Sequence, residues 1–108
     1  MSSELKNKSF SQIINGETPV LVDFYADWCA PCKMMPPILK DLKKRMGCKI
    51  HILKIDTEKN PTAAIRYQVR GIPTLILFKK GRILWQQSGV VQPDQLETII
   101  NQKLNQTN

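Results

Sequence analysis

Two cysteines separated by two residues stand where a strand-like segment gives way to a helix-like one. The segment before them, residues 19–26 (PVLVDFYA), is almost entirely apolar and rich in β-branched and aromatic residues, which is typical of a central strand covered on both faces. Apolar residues then recur at helical spacing; they are Cys32, Met35, Ile38, Leu39, Leu42 and Met46. The pattern predicts a buried strand that leads through a Cys-Ala-Pro-Cys turn into an amphipathic helix.

The position of this turn favours thiol chemistry. A thiol at a helix N-terminus faces unpaired backbone N–H groups and the positive end of the helix dipole, and both stabilise the thiolate. Cys32 lies one turn beyond Cys29, close enough to close a small disulfide, and Pro31 suits a first helical turn. A Cys-X-X-Cys pair in an alternating strand–helix chain therefore indicates a redox site.

The rest of the chain alternates helices and strands without a repeat, linker or change in composition, so residues 1–108 are interpreted as one domain. Helices are expected at 9–15, 32–46, 60–68 and 93–104, and strands at 19–26, 49–55, 74–78 and 83–87. Ser9 is expected to cap the first helix, Pro37 to kink the second and Gly47 to end it. The order α-β-α-β-α-β-β-α predicts an α/β protein with a central mixed sheet and helices on both faces.

The chain is basic, with 16 Lys and Arg against 9 Asp and Glu and a formal net charge of +7. These residues are dispersed and not interleaved with aromatics, so a solvated surface is favoured, and a basic nucleic-acid-binding domain stays as an alternative. No apolar segment is long enough to span a bilayer and no secretory signal is visible, which predicts a cytoplasmic protein without membrane contact. A periplasmic location would follow if a signal peptide had been removed.

A zinc-stabilised structural module is a second alternative, because Cys29, Cys32, Cys48 and His51 read C-x2-C-x15-C-x2-H. A helix over residues 32–46 would separate its ends by roughly 20 Å. Zinc ligands must converge to about 2.0–2.3 Å from one ion. We therefore expect no metal site, and we expect Cys48 to be a small apolar residue or an incidental thiol.

Three blocks of sequence resemble the thioredoxin family in order and spacing. They are VDFYADWCAPCKMMPPIL (22–39), KIDTEKNP (54–61) and RGIPTLILFKKG (70–81), and Gly89 follows at the matching position. The resemblance implies a thioredoxin-like fold and a protein dithiol–disulfide oxidoreductase, an electron carrier that reduces disulfides in other proteins. A disulfide oxidant or isomerase, or a reductant dedicated to one partner, are alternatives within the same chemistry.

The resemblance also assigns roles to four residues near the turn. Cys29 is expected to be the exposed nucleophile, and Cys32 the buried resolving cysteine. Asp23 is expected to be the buried carboxylate that takes the proton of the resolving thiol, with Lys54 as its ammonium neighbour. Burial should raise the pKa of Asp23, and Lys54 should offset this only in part. The alternative for Asp23 is a structural ion pair with Lys54.

A substrate-binding groove beside the cysteines is implied as well. Trp28 is expected to shape the docking surface, Pro73 to be a cis-proline facing the cysteines, and the backbone of Ile72 to pair with an extended substrate. The groove residues are Trp28, Ala30, Pro31, Ile72, Pro73 and Gly89.

The chain departs from the family pattern at Ala30, where glycine is commonest, and at Thr57, where an apolar residue is more usual. The segment before Ser9 is short and polar, so the family's first strand is expected to be stunted or absent. The sequence has no Gly-rich dinucleotide motif. The redox group is therefore expected to be the Cys29–Cys32 disulfide itself, re-reduced by an external reductase such as a thioredoxin reductase, and a monomer is expected.

Overall fold

The predicted order of helices and strands is confirmed by the computed structural model, which describes residues 7–106. The helices are α1 (Phe10–Ile14), α2 (Met35–Met46), α3 (Pro61–Arg66) and α4 (Pro93–Asn105). The strands are β1 (Val20–Tyr25), β2 (His51–Asp56), β3 (Thr74–Lys79) and β4 (Arg82–Ser88). Short 3-10 turns occupy Pro31–Met34 and Gly47–Lys49.

The strands form one mixed sheet in the order β2-β1-β3-β4. Strand β1 pairs parallel with β2 and antiparallel with β3, and β3 pairs antiparallel with β4. A parallel pair needs a crossover connection, and the segment containing α2 supplies it. The mixed sheet predicted from the sequence is therefore confirmed, with β1 in an interior position.

Helices cover both faces of the sheet. Leu21, Leu75 and Leu77 pack with residues of α2 and α4 in one buried cluster. The alternate positions of the same strands, among them Val22 and Phe24, pack with residues of α1 and with Tyr67, just after α3. Because both faces are buried, β1 and β3 need apolar residues at successive positions, which explains their nearly continuous apolar sequences. Asp23 is the exception in β1.

The helix after the cysteines begins differently from the prediction. A 3-10 turn covers Pro31–Met34, and α2 then runs without interruption from Met35 to Met46. Pro36 and Pro37 fall in the first turn of α2, where a missing N–H costs no helical hydrogen bond. The expected kink at Pro37 stays a prediction, because a continuous helical span does not by itself measure a bend. Gly47 ends α2 with a φ of 58°, as predicted.

At the N-terminal end, the predicted cap of α1 is confirmed. Ser9 Oγ accepts the backbone N–H of Gln12, and the Gln12 side chain accepts the N–H of Ser9. Within residues 7–106 no strand precedes α1. The expectation of a stunted first strand also concerns residues 1–6, which lie outside the described residues.

Candidate active site

Cys29 and Cys32 form a disulfide at the start of the helical segment that follows β1, with their Cα atoms 5.3 Å apart. Ala30 caps the 3-10 turn and Pro31 is its first residue. The backbone N–H of Cys32 donates to Sγ of Cys29 at 3.2 Å. An N–H directed at a sulfur stabilises negative charge there once the disulfide is reduced. The backbone therefore favours the thiolate at Cys29.

Exposure does not separate the two cysteines, which corrects the expectation of an exposed Cys29 and a buried Cys32. Cys29 is 3% exposed and Cys32 is 5% exposed. Both are buried in one small cluster with Ala26, against which Tyr25 and Ile72 pack. The asymmetry between the cysteines therefore lies in the hydrogen bond to Cys29 Sγ rather than in access to solvent.

Residues from three separate segments meet beside the disulfide. The Ile72–Pro73 peptide bond is cis, and the carbonyl oxygen of Ile72 lies 3.7 Å from Cys29 Sγ. Gly89 has a φ of 98° and donates its N–H to the carbonyl of Pro73 at 2.8 Å. Trp28 precedes Cys29, and its side chain is 70% exposed. The structure thus places Ile72 beside Cys29 and joins Gly89 to the neighbouring Pro73, residues that the resemblance assigns to one groove.

Asp23 is completely buried at the centre of β1, on the sheet face that α2 covers. Neither of its carboxylate oxygens has a hydrogen-bond partner among residues 7–106. Burial raises the pKa of Asp23 to about 6, because desolvation penalises the carboxylate, and the positive charge of Lys54 opposes this shift. The prediction that burial outweighs Lys54 is confirmed.

Lys54 lies directly opposite Asp23 in the parallel pairing of β1 and β2. Its side chain is exposed, and its Nζ lies 4.9 Å from the centroid of the Tyr25 ring. A cavity of about 150 Å³ is lined by Cys32 and Lys54 together with Tyr25, Asp27 and Lys33. The buried Cys32 therefore shares a cavity with the ammonium group that acts on Asp23.

Two residues make contacts at this site that the sequence analysis does not predict. The sequence predicts Tyr25 only as part of a strand, although it lies two residues after Asp23 and hence on the same face of β1. That spacing was the available signal. Thr57 departs from the family pattern, and its N–H and hydroxyl both donate to the carbonyl of Tyr25, at 2.8 and 3.1 Å. Thr57 thus ties the end of β2 to the end of β1.

The other two candidate zinc ligands, Cys48 and His51, follow the disulfide pair by more than fifteen residues in the sequence. Cys48 is a free, exposed cysteine in the turn that follows α2. His51 begins β2, and its backbone N–H donates to the carbonyl of Pro19. Across residues 7–106, no three His, Cys, Asp or Glu side chains come together as a metal-binding group.

A disulfide between a central strand and a helix N-terminus, on a mixed sheet covered by helices, defines a protein thiol–disulfide oxidoreductase. The family model named Thioredoxin matches residues 1–102. The chain belongs to the thioredoxin family, and it is a protein-disulfide reductase.

Relatives and solved structures agree with this assignment. The chain is 46% identical over 89 residues to a thioredoxin-like protein of Synechocystis, covering 82% of this chain and 85% of that protein. It is 37% identical over 105 residues to a thioredoxin of Rickettsia bellii, covering 96% and 100%. The structure of a mutant thioredoxin from Halobacterium salinarum matches with a TM-score of 0.78 and 35% identity, covering 86% of this chain and 80% of that one. None of the helices in the described part of the chain could cross a membrane.

Proposed function

We propose that Cys29 is the nucleophile and Cys32 the resolving thiol when this chain reduces protein disulfides. The observation that carries the assignment is the Cys32 N–H directed at Cys29 Sγ at 3.2 Å. In the reduced protein, the Cys29 thiolate attacks one sulfur of a substrate disulfide. A mixed disulfide forms, the substrate S–S bond breaks, and the other substrate sulfur leaves as a thiolate that takes up a proton.

Asp23 completes the second half of the reaction as the proton acceptor for Cys32. The Cys32 thiol gives its proton to the Asp23 carboxylate, directly or through water, and its sulfur attacks Cys29 Sγ. The Cys29–Cys32 disulfide forms and the second substrate thiolate is released. Two features support this role: Asp23 is buried without a hydrogen-bond partner among the described residues, and its pKa of about 6 is closer to that of a thiol than an ordinary carboxylate's would be.

The groove beside Cys29 binds the substrate chain. Trp28 offers an exposed indole for docking, and the main chain of Ile72 pairs with an extended substrate segment, since no hydrogen bond among residues 7–106 occupies the Ile72 N–H. Pro73 and Gly89 complete the groove, where the Gly89 N–H donates to the carbonyl of Pro73. Ala30 and Pro31 form the surface between the two sulfurs.

The redox group is the cysteine pair itself, and electrons come from an external reductase such as a thioredoxin reductase. We propose that residues 1–108 act as one domain and as a monomer, in the cytoplasm. Basic residues then serve as a solvated surface rather than as a nucleic-acid site.

Reduction of insulin by dithiothreitol, followed by turbidity, tests the proposed function. We expect the parent to accelerate precipitation and Cys29→Ser to be inactive. The reduction potential separates a reductant from an isomerase or oxidant. A value of about −270 mV is typical of a reductant, whereas a value of about −180 to −120 mV is typical of an isomerase or oxidant. An active Cys29→Ser variant would contradict the assignment of the nucleophile.

A further inference from the structure

The ring of Tyr25 and the ammonium of Lys54 are in contact at the edge of the active site. Lys54 Nζ lies 4.9 Å from the ring centroid, within the range of a cation–π attraction. Lys54 is exposed, and among residues 7–106 it forms no salt bridge. A lysine with a flexible stem and no carboxylate partner would otherwise spread its charge over many positions in solvent. The ring is therefore the contact that restricts where this charge lies.

The position of that charge matters because Asp23 has no hydrogen-bond partner among the described residues. Asp23 and Lys54 are register partners on adjacent strands, so the ammonium is the cation whose field reaches the buried carboxylate. Other charged groups share this part of the structure: Asp27 and Lys33 line the same cavity, and Asp56 is the register partner of Tyr25. The field at Asp23 thus depends on which of these neighbours Lys54 approaches.

We propose that Tyr25 is a positioning residue, whose ring holds the Lys54 ammonium at the cavity lined by Cys32 and so sets how readily Asp23 accepts the Cys32 proton. The inference rests on the proposed function of Asp23 as proton acceptor. The proton moves from Cys32 Sγ to the Asp23 carboxylate as before; Tyr25 touches neither the substrate nor the proton. Tyr25 acts only through Lys54, and this dependence makes the proposal testable.

The test is a carbon-13 NMR titration of the Asp23 carboxyl group in the oxidised protein and four variants. The variants are Tyr25→Leu, Tyr25→Phe, Lys54→Gln and the double variant Tyr25→Leu/Lys54→Gln. Tyr25→Leu frees the ammonium, so we expect the pKa of Asp23 to rise by on the order of 0.5. Tyr25→Phe keeps the ring face and should leave the pKa at its parent value. In the Lys54→Gln background, Tyr25→Leu should add nothing.

Two outcomes would overturn the proposal. An unchanged Asp23 pKa in Tyr25→Leu would show that the ring does not position the charge. An equal shift with and without Lys54 would show that Tyr25 acts through its packing against the cysteines instead. If Tyr25→Leu does not fold, Tyr25→Met removes the same ring with a more adaptable side chain.

A separate measurement keeps this inference distinct from the role of Asp23 itself. The rate at which a preformed mixed disulfide on Cys29 resolves is followed against pH in the parent, in Tyr25→Leu and in Asp23→Asn. We expect the midpoint of the profile to follow the Asp23 pKa upward in Tyr25→Leu. If Asp23→Asn leaves the profile unchanged, the proton-transfer role is wrong, and the titration still decides whether Tyr25 positions Lys54.

Discussion

The backbone N–H of Cys32 donates to Sγ of Cys29 at 3.2 Å, although both residues are almost fully buried. The donor belongs to the first helical turn after β1, where N–H groups have no partner within the helix. Although both sulfurs lie in the same short segment, this contact gives Cys29 Sγ a hydrogen-bond donor and so a different electrostatic environment from that of Cys32 Sγ. The chemistry of the pair is therefore asymmetric even where their exposure is not.

Cys32→Ser should trap substrates, whereas Cys29→Ser should not. The Cys32→Ser variant keeps the backbone N–H that stabilises the Cys29 thiolate, so the first attack proceeds and the reaction stops at the mixed disulfide. Cys29→Ser lacks the stabilised thiolate, and exchange should be abolished. Mass spectrometry of the adducts formed with a disulfide-containing protein checks this. Equal trapping by both variants would contradict the division of roles.

Cys48→Ala should retain activity and bind no less zinc than the parent. Cys48 is exposed in the turn after α2 and belongs to no metal-binding group within residues 7–106. Stability should change by less than about 0.5 kcal/mol, as is usual for a surface substitution. Insulin reduction and zinc content are measured on both proteins. Loss of folding together with loss of stoichiometric zinc would restore the metal-module interpretation.

Gly81→Ala should destabilise the fold at the β3–β4 hairpin. Gly81 has a φ of 79°, and a Cβ there would overlap Oδ1 of Asn15 at the end of α1. The left-handed backbone alone should lower the free energy of unfolding by about 1–2 kcal/mol. Denaturant unfolding of the parent and the variant measures the change.

Asn15→Ala supplies the matched background for that prediction. Removing the Asn15 side chain removes the overlap but keeps the backbone of Gly81 unchanged. Gly81→Ala should therefore cost less in the Asn15→Ala protein than in the parent. Equal costs would show that the steric contact with Asn15 contributes nothing.

The sequence predicts the elements of this fold well because they depend on local patterns. The apolar run of β1 and the helical spacing after Cys32 are each contained within about fifteen residues. The contact of Tyr25 with Lys54 depends instead on the register between β1 and β2, and the burial of Cys29 depends on Ile72, which is distant in sequence. Such features arise from tertiary packing, and a periodicity carries no information about them.

The start of α2 was mispredicted for a local reason. The apolar spacing over residues 32–46 fits one helix, but it does not distinguish a 3-10 turn from an α-turn. The adjacent prolines at Pro36 and Pro37 were the relevant signal, because proline is well tolerated in the first helical turn. They indicate an α-helix that begins near Met35.

Asp23→Ala should make the oxidised protein more stable at pH 7, with a smaller gain at pH 4. The pKa of Asp23 is raised from its ordinary value of 3.8 to about 6 by burial, so the native state holds this proton more tightly than the unfolded chain does. The stability gained from the proton is complete below the unfolded pKa and is lost as the pH rises through the folded pKa. At pH 7 the parent therefore contains a buried carboxylate that opposes folding.

Asp23→Ala should raise the free energy of unfolding by about 2 kcal/mol more at pH 7 than at pH 4. Comparing two pH values cancels the pH-independent cost of the small cavity that alanine leaves. Denaturant unfolding curves of parent and variant at both pH values give this difference. The same variant should slow release of reduced substrate in single-turnover experiments, because the proton acceptor is gone. A variant that is less stable at pH 7 and turns over normally would identify Asp23 as a structural partner of Lys54 rather than a proton acceptor.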